Sequence, residues 1–258
     1  VKVISFNANG IRAAGRKGFY DWLSLQQADF VCIQETKAQR EQLVADPLYF
    51  PSDFYCDYVD AVKKGYSGVA IYARQKPQKV LKGLGFSYCD EEGRYLQFDY
   101  SNLSVISLYL PSGTSGEGRQ AVKYEFLDRF AKHLVELKSQ GRELIICGDY
   151  NIAHQKIDIK NWRGNQKNSG FLPEERAWLD ELFGPMGFID AFRQKNQNAE
   201  EYTWWSNRGQ AWEKNVGWRI DYQVITPGLV SAVQDVSIYR EQRFSDHAPL
   251  LIDYQWIE

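Results

Sequence analysis

The chain repeatedly runs four to six apolar, often β-branched residues straight into a polar or turn-forming one. Such runs occupy residues 3–6, 30–33, 69–72, 95–98, 105–109, 144–147, 220–225 and 249–254. Their length and their Gly, Asn, Asp and Pro boundaries predict strands. Several are apolar at consecutive positions, so those strands need cover on both faces. Helical segments are fewer. Residues 18–26 carry Phe19, Trp22, Leu23 and Leu25. Residues 122–137 place Phe126, Phe130, Leu134 and Leu137 at helical spacing, and Gly141 follows as a stop. A third helix opens at Pro173, with Glu174 and Glu175 favouring its dipole, and ends at Gly184 and Pro185. Strands with interspersed helices predict two packed sheets with helices outside. No linker or composition break divides the chain, so residues 1–258 read as one domain.

A net charge of −2 argues against a uniformly basic nucleic-acid coat but leaves room for a local basic face. Basic residues recur in expected loops: Arg12, Arg16 and Lys17; Lys63 and Lys64; Lys160, Arg163 and Lys167; Arg208 and Lys214. A solvated mixed surface is the competing reading of these clusters. No apolar run approaches the roughly 20 residues of a membrane helix. The first residues already read as a strand, without the marks of a signal peptide. The four cysteines form no CxxC pair, which predicts free thiols and a reducing, cytoplasmic setting.

Chemistry is written where polar residues follow the strands. Residues 30–33 run into Gln34 and Glu35, and residues 144–147 run into Gly148, Asp149, Tyr150 and Asn151. Asp221 lies within the run at 220–225, and Ser245, Asp246 and His247 stand before the last one. One acid beside a buried strand is usually a cap or a surface ion pair. Four are costly unless paired, hydrogen-bonded or metal-bound. If the strand ends converge, a divalent cation is the natural counter-charge. Acids and amides are hard oxygen donors suited to Mg2+ or Mn2+, and no zinc spacing is present. Glu35 is the first choice of ligand. Neighbours in extended backbone point to opposite faces, so His247 needs an orienting acid other than Asp246, and Asp221 fits. Asp149 and Asn151, two residues apart, would share a face in extended backbone. They would there pair a proton acceptor with a water-positioning amide. His133 and His154 are read as structural.

Six segments together resemble the exonuclease III class of abasic-site (AP) endonucleases. They are residues 5–12 (SFNANGIR), 33–37 (IQETK), 65–69 (GYSGV), 148–154 (GDYNIAH), 215–222 (NVGWRIDY) and 245–249 (SDHAP), in the family's order. The resemblance implies a four-layer α/β sandwich of two mixed sheets flanked by helices, the DNase I-like fold. It implies Glu35 as the principal Mg2+ ligand, with Asn9 and Asp246 in the metal region. Asn7 and Asn151 would be phosphate- and water-positioning amides, Asp149 the base, Tyr109 a phosphate-side phenol, and Asp221–His247 the oriented imidazole. Trp204, Trp218 and Ile220 match the apolar pocket for a flipped abasic sugar. Arg12, Lys17, Tyr66, Asn161, Asn165 and Lys214 match contacts to the DNA backbone, and Arg208 lies in a loop whose counterpart can wedge into the duplex. Two departures stand out. Position 9 is Asn where some members have Asp, and Ser112 stands where relatives often have a longer amide.

The expected reaction is Mg2+-dependent hydrolysis 5′ to an abasic site in double-stranded DNA. It leaves a 3′-hydroxyl and a 5′-deoxyribose phosphate, with a side activity on blocked 3′ ends or as a 3′→5′ exonuclease. The expected form is a monomer, without a membrane. Two rivals are the same chemistry on DNA 3′ ends or another phosphate ester, and a non-catalytic lesion-binding module. Four of the eight tryptophans lie between Trp204 and Trp218, which favours the abasic sugar over an intact nucleotide. The intact set Glu35, Asp149, Asp221, Asp246 and His247 argues against a retired site.

Overall fold

The expected apolar runs pair into two six-stranded mixed sheets in the computed structural model, which describes residues 1–255. The last three residues of the expected 1–258 domain lie outside the described residues. The first half of the chain supplies β1 (Lys2–Asn7), β2 (Phe30–Gln34), β3 (Tyr55–Val59), β4 (Val69–Ala73), β5 (Lys79–Lys82), β6 (Tyr95–Asp99) and β7 (Leu103–Tyr109). The second half supplies β8 (Glu143–Asp149), β9 (Ile189–Asp190), β10 (Trp204–Trp205), β11 (Gly217–Trp218), β12 (Asp221–Ile225), β13 (Val233–Ile238) and β14 (Leu250–Tyr254). One sheet has the order β13-β14-β1-β2-β4-β3 and the other β5-β6-β7-β8-β12-β9, while β10 and β11 form a separate ribbon.

The all-apolar strands fill the inner faces, as their composition requires. Val3, Cys32, Ile71, Phe98, Val105, Ile145, Cys147 and Ile252 belong to the core cluster joining the sheets. The outer face of the first sheet packs on helices Ile11–Arg16 and Phe19–Ser24 through Ile4, Phe6, Phe19 and Trp22. The outer face of the second packs on helices Glu117–Ser139 and Pro173–Phe183 through Ile146, Val224, Phe126, Phe130 and Leu179. The result is the four-layer α/β sandwich expected. Polar side chains caught between the sheets bond across the gap: Gln34 Nε2 donates to Ser107 Oγ at 3.1 Å and Gln223 Nε2 to Val3 O at 3.0 Å.

Register decides where the chemistry sits. β1 and β2 run parallel, as do β7 and β8, and Asp221 of antiparallel β12 pairs with Asp149. The carboxyl ends of four central strands and the start of a fifth therefore open at one edge of the sandwich. Six strands escape a search for buried apolar runs: β3, β5 and β13 lie on sheet edges and mix polar with apolar positions, and β9, β10 and β11 are two residues each. Ile220 also falls just before β12, where a strand over 220–225 is expected. All four cysteines are free thiols.

Candidate active site

Asn7, Tyr109 and Asp149 close their strands, Asp221 opens β12, and Glu35 follows β2. Glu35, Asn9 and Asn151 have left-handed φ values of 49°, 42° and 52°. Such values are uncommon without glycine and mark a backbone held in place by its surroundings. Asn151 thus departs from the extended geometry expected of it. The chain turns after Asp149, the Asn151 N–H donates to Asp149 Oδ1 at 2.8 Å, and its Nδ2 donates to Leu110 O at 2.8 Å. The amide still reaches the cavity, with its oxygen left to accept.

The two sheets meet through Asn7. Its side chain is fully buried, and Nδ2 donates to Glu35 Oε1 and to Asp149 Oδ2, both at 2.9 Å. An amide expected on the phosphate side therefore lies beneath the carboxylates and bridges them. Its backbone sits one strand width from Gln34, too deep for solvent. His247 Nδ1 lies 2.8 Å from Asp221 Oδ2, and its Nε2 lies 3.7 Å from Asp149 Oδ2. Burial alone would lower the imidazole, but Asp221 and Asp149 outweigh it and raise His247 to about 10. Burial, and then the neighbouring Asp221, push Asp149 up to about 8. Asp221 also keeps a buried Oδ1 without a hydrogen-bond partner among the described residues.

These are the marks of a site with too much negative charge. One ligand-capable atom from each of Glu35, Asp149 and His247 lies within 4.8 Å of the others. The two carboxylates fit a hard divalent cation, whereas a protonated His247 offers no lone pair to it. Asn9 and Asp246 stand beside this cluster rather than inside it. Asp246 accepts from Asn9 Nδ2 at 3.0 Å and from Trp204 Nε1 at 3.1 Å. Burial opposes its charge, but His247, Trp204 and Asn9 outweigh it and hold Asp246 below the usual range. Lys37, given no role from sequence, lies 3.2 Å from Glu35 Oε2 and donates to Asn9 Oδ1. Its place two residues after the acid was the only signal.

A cavity of about 610 Å³ opens over this floor. Glu35, Tyr109, Asp149, Asn151, Asp246 and His247 line it together with Trp204, Trp218 and Ile220, as do Ser112, Asn165 and residues 167–170. The Trp204 and Trp218 rings meet edge to face at 5.9 Å. Backbone pairing puts them there, since Trp204 pairs with Trp218 across the ribbon and bridges to His247. Trp205, one residue on, is fully buried core. The tryptophan-rich segment thus divides by strand alternation into wall and core. Burial, then Glu35, push the Tyr109 phenol well above its usual value, and the Arg94 guanidinium stacks on its ring at 4.6 Å.

The expected DNA-backbone residues surround the cavity less tightly. Arg12, Lys17, Asn161, Arg208 and Lys214 are exposed and outside its lining. Asn165 lines it and donates to Asn161 O at 2.8 Å. The Tyr66 hydroxyl accepts from Arg94 at 3.2 Å and Arg119 at 3.1 Å. Thr203 is another residue without a sequence signal: its Oγ1 accepts from the N–H groups of Ile220 and Asp221, both at 3.1 Å. His133 and His154 bond Tyr95 and Asp180 away from the cavity.

The sequence matches the endonuclease/exonuclease/phosphatase family over residues 4–247. It is 38% identical over 252 residues to an exodeoxyribonuclease of Bacillus subtilis, covering 97% of this chain and 98% of that protein. It is 36% identical to the DNA repair nuclease APEX1 of Danio rerio, covering 98% of this chain and 81% of that one. Among solved structures, an AP endonuclease from Archaeoglobus fulgidus superposes with a TM-score of 0.89 at 26% identity, over 99% of this chain and 100% of that one. The 3′ phosphatase NExo from Neisseria, bound to product DNA hairpin, superposes with a TM-score of 0.91 at 25% identity, over 99% of each chain.

Proposed function

The chain belongs to the endonuclease/exonuclease/phosphatase family, and on that premise we propose that it is an AP endonuclease of the exonuclease III class. It hydrolyses the phosphodiester 5′ to an abasic site in duplex DNA and leaves a 3′-hydroxyl and a 5′-deoxyribose phosphate. One observation carries this reading. The Asp149, Asn151, Glu35 and His247 groups line the same cavity as Trp204, Trp218 and Ile220. A phosphate ester and an empty sugar would occupy it together.

Each side chain has a role that its bonds allow. Asp149 accepts the proton of the attacking water, and the free amide oxygen of Asn151 orients that water. His247 is held charged by Asp221 and donates from Nε2 to a phosphate oxygen, as does the neutral Tyr109 phenol. Glu35, with Asn9 and Asp246 adjoining, would hold the cation, Mg2+ with Mn2+ as substitute. When bound, it supplies positive charge for the phosphate and the leaving 3′ oxygen. Asn7 fixes Glu35 and Asp149 relative to each other. Arg12, Lys17, Tyr66, Asn161, Asn165, Arg208 and Lys214 contact the duplex backbone. The same floor accepts a blocked 3′ end, and likeness to a 3′ phosphatase favours that as a side activity. The enzyme acts as a single-domain monomer in the cytoplasm, with the DNA.

The test is one duplex carrying an internal abasic site. It is compared with the intact duplex, a recessed 3′-phosphate and soluble phosphate esters, with and without Mg2+. Incision at the abasic site should exceed all other rates and vanish with chelator. Equal rates on every substrate would remove lesion specificity.

A further inference from the structure

A separate buried charge pair lies directly behind the cavity wall. Lys123, on helix Glu117–Ser139, bonds Glu175, on helix Pro173–Phe183, and neither side chain is exposed. Each also holds a main-chain group at the cavity. Lys123 Nζ donates to Asn151 O at 2.8 Å, and the two Glu175 oxygens accept from the Gly170 N–H at 3.0 Å each. Neither of those main-chain groups lies in a strand, so no sheet ladder provides for it.

Joining two helices does not require an ion pair. Desolvating both charges offsets most of their attraction, and an apolar pair of similar volume often does as well. An apolar pair, however, offers no donor to the Asn151 carbonyl and no acceptor to the Gly170 N–H. The clearance these bonds maintain is small. A Cβ placed on Gly170, whose φ is +95°, would meet Trp218 Cζ3 at 2.9 Å and Asn151 O at 3.3 Å. The Ala153 N–H closes the unit by donating to Gly170 O at 2.8 Å.

We propose that Lys123 and Glu175 are positioning residues for hydrolysis, setting the distance between the Asp149–Asn151 turn and the Gly170–Trp218 wall. This rests on the reading of the cavity as the phosphodiester site. The pair touches neither DNA nor reacting atoms, and acts through the main chain of Asn151 and Gly170. Its loss should therefore lower kcat and spare KM, because the proposed duplex contacts lie elsewhere.

Steady-state incision of an internally abasic duplex, with Mg2+ and the intact chain, tests this beside thermal melting. Lys123→Met with Glu175→Leu removes both charges and both anchors together. Its kcat should fall tenfold or more, with KM within threefold and Tm within about 5 °C of wild type. Glu175→Gln keeps an acceptor for Gly170 but strips Lys123 of its counter-charge. It should lose more Tm and less kcat than the double variant. That crossover separates positioning from general stability. Losses of kcat that follow losses of Tm, a double variant at wild-type kcat, or one that does not fold would each overturn the assignment. A wild-type chain that fails to incise the abasic duplex would instead remove the reading of the cavity, before any variant is compared.

Discussion

Two clusters of buried charge sit back to back at the entry to β12, and they treat their carboxylates in opposite ways. Arg219 anchors one and Asp221, two residues on, belongs to the other. In the first, Asp158 Oδ1 accepts from Arg219 at 2.8 Å and Arg193 at 2.6 Å, and Asp190 accepts from Arg219 at 2.7 Å. Burial pushes Asp158 up, but the two guanidinium groups outweigh it and hold the carboxyl at about 2. In the second, Asp149, Asp221 and Glu35 share one imidazole, one amide and the part-exposed Lys37 ammonium, and Asp149 rises to about 8. The exposures of Asp158 and Asp149 are the same, 1% each. Burial therefore does not distinguish them; charge balance does. A structural cluster closes its account with guanidinium groups, whereas the candidate site leaves negative charge for something outside the chain to neutralise.

Variants on either side can break this contrast. The largest effect expected is on turnover: Asp149→Asn should cut kcat by about a thousandfold while duplex binding persists. Near-normal incision would remove Asp149 from the chemistry. Next in size is Arg219→Met, which leaves Asp158 and Asp190 buried without their partner. It should cost about 3–5 kcal/mol in denaturant melts and leave kcat of the folded protein within threefold. A loss of turnover without a loss of stability would mean that the two clusters are one functional unit.

A smaller effect is a stability gain in the disabled enzyme. The Asp149 pKa is raised in the fold, so its contribution is fully present below the usual carboxylate value of 3.8. It is lost as pH rises through about 8. In chelator, the Tm of Asp149→Asn should therefore overtake wild type progressively between about pH 4 and 8, reaching a few degrees. Mg2+ should narrow the gap, since wild type binds the cation more tightly. A gap independent of pH and Mg2+ would contradict the picture of uncompensated charge. The smallest effect belongs to the exposed pair Lys160–Glu200, with side chains 42% and 53% exposed. Lys160→Ala should change stability by less than about 0.5 kcal/mol, a control showing that balance matters where water is excluded.

The difference between these clusters was only half visible in the sequence. Glu35, Asp149, Asp221 and His247 stood out because each follows, opens or precedes an apolar run. Asp158 and Asp190 have apolar neighbours too, but neither stands at the end of a run long enough to read as a strand, and they gave no such signal, although one is as buried as Asp149. Arg219 appears in a motif that pointed to Asp221, yet its own role depends on Asp158, 61 residues earlier. Lys37 and Lys123 were given no role from sequence, and the fold pairs each with a carboxylate. Asn151 illustrates a subtler failure, because spacing of two residues implies a shared face only in extended backbone, and its φ is 52°.

Local information thus determined which segments are strands, which polar residues end them, and what kind of cation those residues suit. Apolar periodicity and donor type are properties of neighbours along the chain, and they survive without a fold. Tertiary structure alone decided which acids share a counter-charge and which tryptophan faces the cavity. It also placed Asn7 between Glu35 of one sheet and Asp149 of the other. Charge balance and wall position depend on register and on contacts between residues far apart in sequence, 142 positions between Asn7 and Asp149 and 237 between Asn9 and Asp246. No window of sequence holds both members of such a pair.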